Sequence, residues 1–401
     1  MNKTPQGNRT HIGIFGKRNA GKSSLLNAIT EQKISLVSSI GGTTTDPVKK
    51  AMELIPYGPV VFIDTAGLDD SGELGSLRKQ RTKEMFSQID LALIVHDIND
   101  IDRAFEDDLI RELSRFSVPY MVVISKIDTA PEKQRQEIQS IYKEAVFLSA
   151  HDRESMLKFK TALIEKLSES KEKETLVGDL LPYGSHMVMV VPIDAEAPRG
   201  RLILPQVQLI RDALDHGIAC HVVRDTELES TLSQIQKVDL VVTDSQAFKE
   251  VARMVPDDIP LTSFSILLAR QKGDLAQFRE GLEAIKSLPP KGKILIAEIC
   301  THNTSHEDIG RIKIPALLKK YAGEELIFEF FQGNEYPVHM DQYDLVVHCG
   351  GCMMTQKQMY NRLNLLKEKN IPVVNYGVLL AFGAQILERA LSGLEKSQRS
   401  D

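Results

Sequence analysis

Short runs of aliphatic residues, separated by longer amphipathic stretches, recur along the chain. Runs of four to eight apolar residues, bounded by turn-forming or charged positions, are typical of strands that are buried on both faces. The clearest runs are HIGIF, VVFID, YMVVIS, MVMVV, KILIA and DLVVH. Strands that alternate with helices predict parallel sheets, so we expect an α/β fold.

Charged and turn-rich segments divide this pattern into domains. After an amphipathic helical stretch near 157–167, the chain reads SESKEKET and then GDLLPYGSH, which has glycine and proline punctuation but no helical period. We predict an N-terminal domain over 1–170, a linker over 171–186, and two smaller parallel-sheet α/β domains over 187–272 and 273–401. A chain of 401 residues has room for them, because a domain takes about 100 to 200 residues.

The first apolar run enters a loop that begins and ends with glycine and opens an amphipathic helix. Residues 16–23 read GKRNAGKS and fit G-x-x-x-x-G-K-S. Gly16 and Gly21 let backbone N–H groups approach a phosphate chain, because no Cβ stands in the way. Lys22 would reach the β- and γ-phosphates, and the Ser23 hydroxyl would hold Mg²⁺. These residues predict a P-loop nucleotide-binding domain.

Two further strand ends match the rest of such a site. VVFIDTAG ends in D-x-x-G, so Asp64 can hold the water shell of the metal and Gly67 can sense the γ-phosphate. YMVVISKID ends in S-K-x-D and is followed by AVFLSA. Asp128 would accept two hydrogen bonds from the guanine N1 and exocyclic amine, which adenine cannot donate in that pattern. The expected nucleotide is therefore GTP, hydrolysed to GDP.

The order of these motifs resembles the translation-factor-like GTPases over residues 10–165. GGTTTD and DTAGL are similar to the tRNA-modification and Era-like branch of that group. The resemblance implies that Thr44 is the switch I threonine on Mg²⁺. Leu68 stands where Ras-like enzymes carry a water-orienting glutamine, so another group must assist hydrolysis. In this branch a P-loop asparagine, here Asn19, helps to hold a K⁺, which implies slow, potassium-stimulated hydrolysis.

The same resemblance supplies a full set of expected contacts. Hydrolysis is expected to use Lys22, Asn19, Thr44 and Gly67. The expected GTP and Mg²⁺ contacts are Gly16, Asn19, Gly21, Lys22, Ser23, Ser24, Thr44, Asp64, Gly67, Ser125, Lys126, Asp128, Ser149 and Ala150. Two positions depart from the family pattern: Ser125 replaces the usual asparagine of N-K-x-D, and Thr45 replaces the arginine common in GTTRD. The first departure is expected to loosen nucleotide binding.

Composition limits the partners and the compartment. The net charge of -6 gives no reason to expect nucleic acid or an anionic membrane as a partner. The N-terminus is polar, and no apolar run approaches the ~18 residues that a membrane span requires. Four cysteines without a secretory leader indicate a reducing, cytoplasmic location. There, a close cysteine pair is more often a metal or redox site than a disulfide.

Three of the four cysteines follow predicted strands of the C-terminal domain. Cys300 ends the run KILIAEIC, and HCGGC places Cys349 and Cys352 at the end of DLVVHC. Because the carboxyl ends of parallel strands share one edge of a sheet, we expect the three sulfurs to meet there. With His302 or His348 they would make a Cys₃His zinc site. They would equally hold three irons of a [4Fe-4S] cluster and leave the fourth iron to a weaker ligand.

A GTPase domain joined to C-x-H and H-C-x-x-C resembles the [FeFe]-hydrogenase maturation GTPases of the HydF family. The similarity runs through DDSGELG, VPIDAEAPRGRLILPQ, TSFSILLARQKGDL, AEICTH, HCGGC and VNYG. It implies a [4Fe-4S] cluster on Cys300, Cys349 and Cys352, with Glu307, His302 and His348 as candidates for the exchangeable fourth site. It further implies a transient diiron precursor as cargo, and as partners the radical-SAM maturases HydE and HydG and the apo-[FeFe]-hydrogenase.

Two other functions stay open at this point. A zinc-stabilised regulatory GTPase fits the same cysteines. A GTPase acting on RNA predicts a basic RNA-binding module, and residues 170–401 carry none. APRGRLILPQVQ exposes aliphatic residues beside a turn, and a small sheet with an apolar edge can pair with a second copy. We expect a homodimer, with simple core packing as the alternative. A further hypothesis is that GTP orders residues 41–46 and 64–75 and so changes the contacts with partners.

Overall fold

The structure is a computed structural model that describes residues 7, 9–30, 48–64, 85–169, 175–193, 200, 202–299, 309–333 and 336–394. The chain forms two compact units, Met1–Glu172 and Lys173–Asp401. The boundary that we predict between 272 and 273 lies inside the second unit and stays a prediction. Within the described ranges, no helix has the length and apolar character needed to cross a membrane.

The first unit is built on a six-stranded sheet with the strand order β2-β3-β1-β4-β5-β6. The strands are β1 (Thr10–Phe15), β2 (Val48–Leu54), β3 (Gly58–Asp64), β4 (Leu91–Asp97), β5 (Tyr120–Ser125) and β6 (Val146–Phe147). The helices are α1 (Lys22–Thr30), α2 (Arg103–Arg115), α3 (Glu132–Ile141) and α4 (Arg153–Glu169). Neighbouring strands are parallel, except that β2 is antiparallel to β3.

The central strands of this sheet are buried on both faces because successive side chains point to opposite sides. Ile12 and Ile14 of β1 pack in one apolar cluster with helices α1 and α4. Phe15 packs in a second cluster with α2, together with Ile94 of β4. This two-sided burial explains why β1 and β4 read as continuous apolar runs.

The second unit contains two four-stranded parallel sheets, with the orders β10-β9-β7-β8 and β12-β11-β13-β14. The strands are β7 (His186–Val190), β8 (Ala219–Val223), β9 (Leu240–Thr243), β10 (Leu261–Ser263), β11 (Lys293–Glu298), β12 (Ile327–Gln332), β13 (Leu345–His348) and β14 (Val373–Asn375). The helices are α5 (Leu204–Asp215), α6 (Leu228–Gln234), α7 (Phe248–Met254), α8 (Phe264–Lys272), α9 (Leu275–Ile285), α10 (Ile314–Ala322), α11 (Gln356–Glu368), α12 (Tyr376–Gly383) and α13 (Leu387–Ser392). A single π-turn, Ile309–Lys313, precedes α10.

Helix α8 connects the two sheets of this unit. It follows β10 directly, and most of its side chains are buried, including its last residue, Lys272. It packs against α5 on the side of the first sheet and against α11 and α12 on the side of the second. Helix α9 lies so close to β14 that a Cβ at Gly281 would overlap the Val373 carbonyl. One apolar core therefore runs through both sheets.

The predicted fold is confirmed: a P-loop GTPase domain is followed by parallel-sheet α/β structure. In the second unit the apolar runs MVMVV, IACHVV, KVDLVV, KILIA, DLVVH and IPVVN predict strands, and they coincide with β7, β8, β9, β11, β13 and β14. Strands β10 and β12 were missed. β10 has only three residues, and β12 (IFEFFQ) is an edge strand whose residues are half-buried or exposed, so neither has a clean apolar period.

Candidate functional site

Two groups of predicted residues gather at the carboxyl ends of strands, one in each unit. In the first unit the loop between β1 and α1 has the backbone that G-x-x-x-x-G-K-S requires. Gly16 has φ +151° and Gly21 has φ +95°, a region that side chains disfavour. A Cβ on Gly16 would overlap the Val95 carbonyl oxygen, and one on Gly21 would lie 2.9 Å from Ser125 Oγ. At both positions the backbone conformation and the close neighbouring atoms therefore require glycine.

The side chain of Lys22 lies inside this loop. Its side chain is buried, and Nζ donates to the carbonyls of Gly16 and, at 2.9 Å, Lys17. A buried ammonium ringed by backbone is a fixed positive charge at the loop's centre, which suits a phosphate chain. Ser24, in the first turn of α1, is exposed.

The predicted Mg²⁺ ligands Ser23 and Asp64 lie together. Ser23 Oγ donates to Asp64 Oδ2 at 3.1 Å, and Asp64 is buried at the end of β3. A hydroxyl and a carboxylate at this distance are two oxygen ligands of the kind that Mg²⁺ uses. The other predicted residues of this centre, Thr44 and Gly67, lie outside the described residues.

The S-K-x-D segment is hydrogen-bonded to the P-loop. Ser125 Oγ donates to the Ala20 carbonyl at 2.6 Å, so the residue that replaces asparagine anchors the loop to the end of β5. Lys126, at φ +57°, donates from Nζ to the Asn19 carbonyl at 2.6 Å and to Asp97 Oδ2 at 2.7 Å. Asn19 itself has φ +65° and is exposed.

Asp97 is a site residue that the sequence reasoning missed. Burial raises its pKa, but hydrogen bonds from Lys126 and Asn99 outweigh burial and hold the pKa below its ordinary value. The available signal was its position, since it ends the apolar run LALIVHD at the sheet edge where the other loops meet.

Asp128 is ready to accept hydrogen bonds as a carboxylate. A hydrogen bond from Ser149 lowers the pKa of Asp128 below its usual range. Ser149 is buried after β6 and is held by Ser155, whose Oγ accepts from the Ser149 amide at 3.1 Å. Ala150 follows in the same turn. The structure therefore brings the two predicted base-recognition segments together.

In the second unit the cysteines lie at the carboxyl edge of the sheet β12-β11-β13-β14. β11 and β13 are adjacent and parallel, with Ala297 opposite His348. The Cys349 amide donates to the Ala297 carbonyl at 3.0 Å. β11 ends at Glu298, and Ile299 follows it. The next residue, Cys300, lies outside the described residues together with His302 and Glu307. The convergence of the three sulfurs thus stays a prediction.

The Cys349 sulfur is half-buried, and the effect of burial on its pKa outweighs that of the neighbouring groups that favour its thiolate. Burial raises the pKa of Cys349 to about 11, and the Cys352 charge adds to this rise. Hydrogen bonds from the backbone amides of Gly351 and Ile299 and the charge of Arg362 act in the opposite direction. Gly351 has φ +60°, and this allows the turn between the two cysteines.

His348 is fully buried beside this sulfur. Its Nδ1 lies 2.7 Å from the Cys349 carbonyl oxygen. Because a carbonyl only accepts, Nδ1 carries the proton and Nε2 presents a lone pair. Burial lowers the pKa of His348 to about 3, and Arg362 lowers it further, so the ring is neutral. Among the described residues, Nε2 has no hydrogen-bond partner.

Two buried cations flank the cysteine loop, which we define as residues 349–354. Lys272, at the end of α8, donates from Nζ to the carbonyls of Gly351, Cys352 and Met354 at 3.4, 3.1 and 3.0 Å. Burial lowers its pKa to about 8, and the charge of Cys352 acts in the opposite direction. Sequence reasoning missed Lys272, since a lysine near a helix end is normally solvated.

Arg362 of α11 is the second cation. Its Cζ lies 3.8 Å from the centroid of the Tyr336 ring, and Nη1 donates to the Gly333 carbonyl at 3.3 Å. In the described chain its Nε and Nη2 have no hydrogen-bond partner. Sequence reasoning missed it as well, because nothing in QKQMYNRLNLLKE marks one charged residue as buried.

This surrounding fits an anionic, thiolate-bound group. The described residues supply two of the three predicted cysteines, amide donors to one sulfur, a neutral imidazole nitrogen and two buried cations. Within the described ranges, no group of three or more histidine, cysteine or acidic side chains is arranged around a common metal position. The described donors alone do not distinguish zinc from iron and sulfide.

Three family models match successive parts of the chain. Residues 11–126 match the 50S ribosome-binding GTPase model. Residues 176–273 match the hydrogen maturase F dimerization domain, and residues 276–393 match the hydrogen maturase F tetramerization domain. The two hydrogen maturase F models thus cover almost all of the second unit.

Curated relatives match part of the chain. The chain is 38% identical to GTPase Der of Wolinella succinogenes over 120 residues, which cover 29% of this chain and 25% of the relative. It is 36% identical to the tRNA modification GTPase MnmE of Helicobacter pylori over 144 residues, covering 35% and 31%. The chain thus spans about a quarter to a third of the length of these relatives.

Solved structures align with part of the chain. Aquifex aeolicus Era bound to GDP and aluminium fluoride is 20% identical, with a TM-score of 0.32, over 54% of this chain and 94% of that one. The G domain of the T. maritima FeoB iron transporter is 22% identical, with a TM-score of 0.31, over 40% and 99%.

Proposed function

The chain belongs to the hydrogen maturase F family, and on this premise we propose that it is a GTP-hydrolysing scaffold in [FeFe]-hydrogenase maturation. In this proposal the second unit holds a [4Fe-4S] cluster with an exchangeable fourth iron. It takes up the diiron precursor of the hydrogenase active site and delivers it to the apo-hydrogenase. The first unit binds and hydrolyses GTP with Mg²⁺.

The observation that carries the proposal is the surrounding of Cys349. Two backbone amides donate to its sulfur, and one of them belongs to Ile299, the residue before Cys300. Amide donors aimed at a sulfur stabilise a thiolate, which is the form that binds iron. Cys352 follows after a glycine turn in the same loop. Cys300, Cys349 and Cys352 are the proposed iron ligands.

A cluster held by three cysteines supplies one iron whose remaining position can take up and release a ligand. His348, His302 and Glu307 are the candidate fourth ligands. His348 has the support of an unpartnered Nε2 among the described residues, fixed in orientation by the Nδ1 contact to the Cys349 carbonyl.

For hydrolysis, Lys22 would exchange its carbonyl contacts for the β- and γ-phosphates, and Ser23 and Asp64 would hold Mg²⁺ with Thr44. Asn19 would help to bind a K⁺, which supplies the positive charge that Leu68 cannot supply. We therefore propose slow, potassium-stimulated hydrolysis. The exposed, left-handed Asn19 is compatible with this role, since its side chain borders solvent beside the loop.

We further propose that the chain works as a homo-oligomer with the radical-SAM maturases HydE and HydG, in the cytoplasm. Support for self-association comes from the family domains and from β8, an edge strand of its sheet with an exposed Val222. GTP would act on partners by ordering residues 41–46 and 64–75. That coupling fails if partner affinity and transfer rate are the same with GTP and GDP.

The test is iron and sulfide analysis of anaerobically reconstituted protein, with EPR of the reduced form. Cys349→Ser is expected to lose iron and sulfide and to keep GTP hydrolysis, whereas Lys22→Ala is expected to do the reverse. Cys220→Ser is the matched control, because Cys220 lies in β8 and its thiol contacts Met189 Sδ at 3.0 Å. A colourless wild-type protein with one tightly bound zinc and no sulfide would refute the scaffold and favour a zinc-stabilised GTPase.

A further inference from the structure

The TSFSILLARQKGDL segment contains a buried lysine for which GTP binding and iron ligation give no reason. Lys272 is 6% exposed, and its three N–H groups meet three backbone carbonyls of the cysteine loop. Three acceptors match the three donors of an ammonium, so the group is held in its charged form. In the part of the chain that the structure describes, no carboxylate pairs with it. A positive charge is therefore fixed against the loop, and none of the described carboxylates balances it.

Arg362 repeats this arrangement from another helix. It is also 6% exposed, and stacking on Tyr336 fixes the plane of its guanidinium. Only Nη1 has a hydrogen-bond acceptor among the described residues, which leaves Nε and Nη2 without one. Buried N–H donors without acceptors are costly, and a buried charge without a counter-ion more so. The Cys349 sulfur is the neighbouring group that can become an anion, and the charge of Arg362 favours its thiolate form.

The two cations come from α8 and α11 and act on the same loop. A cluster held by three thiolates is anionic, and it gains one more negative charge when it is reduced. Fixed positive charges nearby stabilise the reduced form more than the oxidised form and so raise the reduction potential. A brace that acted by shape alone would not need two buried charges.

We infer that Lys272 and Arg362 are positioning residues that hold the cysteine loop and raise the reduction potential of the cluster bound to it. The inference rests on the proposed function, because it requires that the loop bind a cluster. It adds two residues outside the cysteine and histidine motifs to the site.

The experiment is an EPR-monitored redox titration of the full-length protein after anaerobic reconstitution with iron and sulfide. Lys272→Met and Arg362→Gln remove the charges, and Lys272→Arg and Arg362→Lys keep them. Each charge-removing variant is expected to lower the ratio of reduced to oxidised cluster at least tenfold at the wild-type midpoint, a shift of about 59 mV for one electron. Charge-keeping variants are expected to stay near wild type.

The matched control is Lys286→Met, which removes an exposed lysine that pairs with Glu283 on the surface of the same unit. Its potential is expected to equal that of wild type. Charge-removing variants with full iron and sulfide and an unchanged midpoint would overturn the inference.

Loss of the cluster is also decisive. If both charge-removing variants lose it while Lys272→Arg and Arg362→Lys retain it, charge is required and the inference stands. If the charge-keeping variants lose it too, the residues act by shape and the inference is wrong. A wild-type protein without iron and sulfide refutes the proposed function itself, and that result is visible before any variant is made.

Discussion

Replacing Ser125 by alanine tests whether the serine in S-K-x-D holds the P-loop in place. Ser125 is 3% exposed, and its hydroxyl donates to the carbonyl of Ala20, which is also buried. The variant Ser125→Ala removes this bond and leaves a buried carbonyl without that donor. The cost of such an orphaned group is about 1 to 3 kcal/mol, so we take ~2 kcal/mol.

This cost is expected to appear in nucleotide affinity. Without the bond the P-loop can turn the Ala20 carbonyl towards water. The P-loop must then return to its phosphate-binding conformation before the nucleotide binds. A penalty of ~2 kcal/mol on that return weakens GDP binding by about 30-fold. If the loop stays in place without nucleotide, the cost appears instead in the first unit, whose unfolding midpoint would fall by about 4 to 8 °C.

Isothermal titration calorimetry with GDP and thermal unfolding measure both outcomes. Ser140→Ala is the matched control, since Ser140 Oγ donates to the Glu137 carbonyl at 2.7 Å on an exposed helix. It is expected to change stability by less than about 0.5 kcal/mol and to leave affinity unchanged. The reasoning is refuted if Ser125→Ala binds GDP within twofold of wild type and also unfolds at the wild-type temperature.

Two other perturbations test the framework around the sites. Asp97 has a folded pKa below its unfolded value, so its contribution to stability is present above about pH 4 and is lost as pH falls through the folded pKa. Lys126→Met removes its cation, and the difference in unfolding midpoint between wild type and variant is expected to shrink from pH 6 to pH 2.5; a difference that does not vary with pH would contradict this. Asp212 Oδ2 accepts from the amides of residues 176, 177 and 178 at 3.1, 2.8 and 3.1 Å, so Asp212→Ala is expected to destabilise the second unit by about 3 kcal/mol in urea unfolding. Asp215→Ala, on the same helix and paired with surface Arg211, is the control, and equal effects of the two would show that the three amide bonds contribute nothing.

The local parts of the molecule follow directly from the sequence. The turn from β1 into α1 lies within a few residues, and Gly16 and Gly21 carry its conformation in their own backbone freedom. Strand ends are equally local, because an apolar run stops at a polar residue such as Asp64 or Asn375, which is the last residue of its strand. The P-loop and the likeness of HCGGC to an iron-sulfur motif could therefore be recognised without coordinates.

The contacts between residues that are distant in sequence depended on tertiary structure. Ser125 reaches Ala20 across 105 positions, and Lys272 reaches Met354 across 82. Neither contact has a local pattern, since a serine after a strand and a lysine at a helix end look the same whether solvated or buried. Only the packing of α8 between two sheets removes water from Lys272.

Sequence alone determined the α/β class, the GTPase motifs and the cysteines at strand ends, because each rests on backbone preferences and apolar periods within one element. Tertiary structure alone decided that β11 lies beside β13, that His348 is buried and neutral, and that two cations face the cysteine loop. The reason is physical. Local sequence sets the conformation of an element, whereas the surroundings of a charged side chain are set by which distant elements exclude water from it.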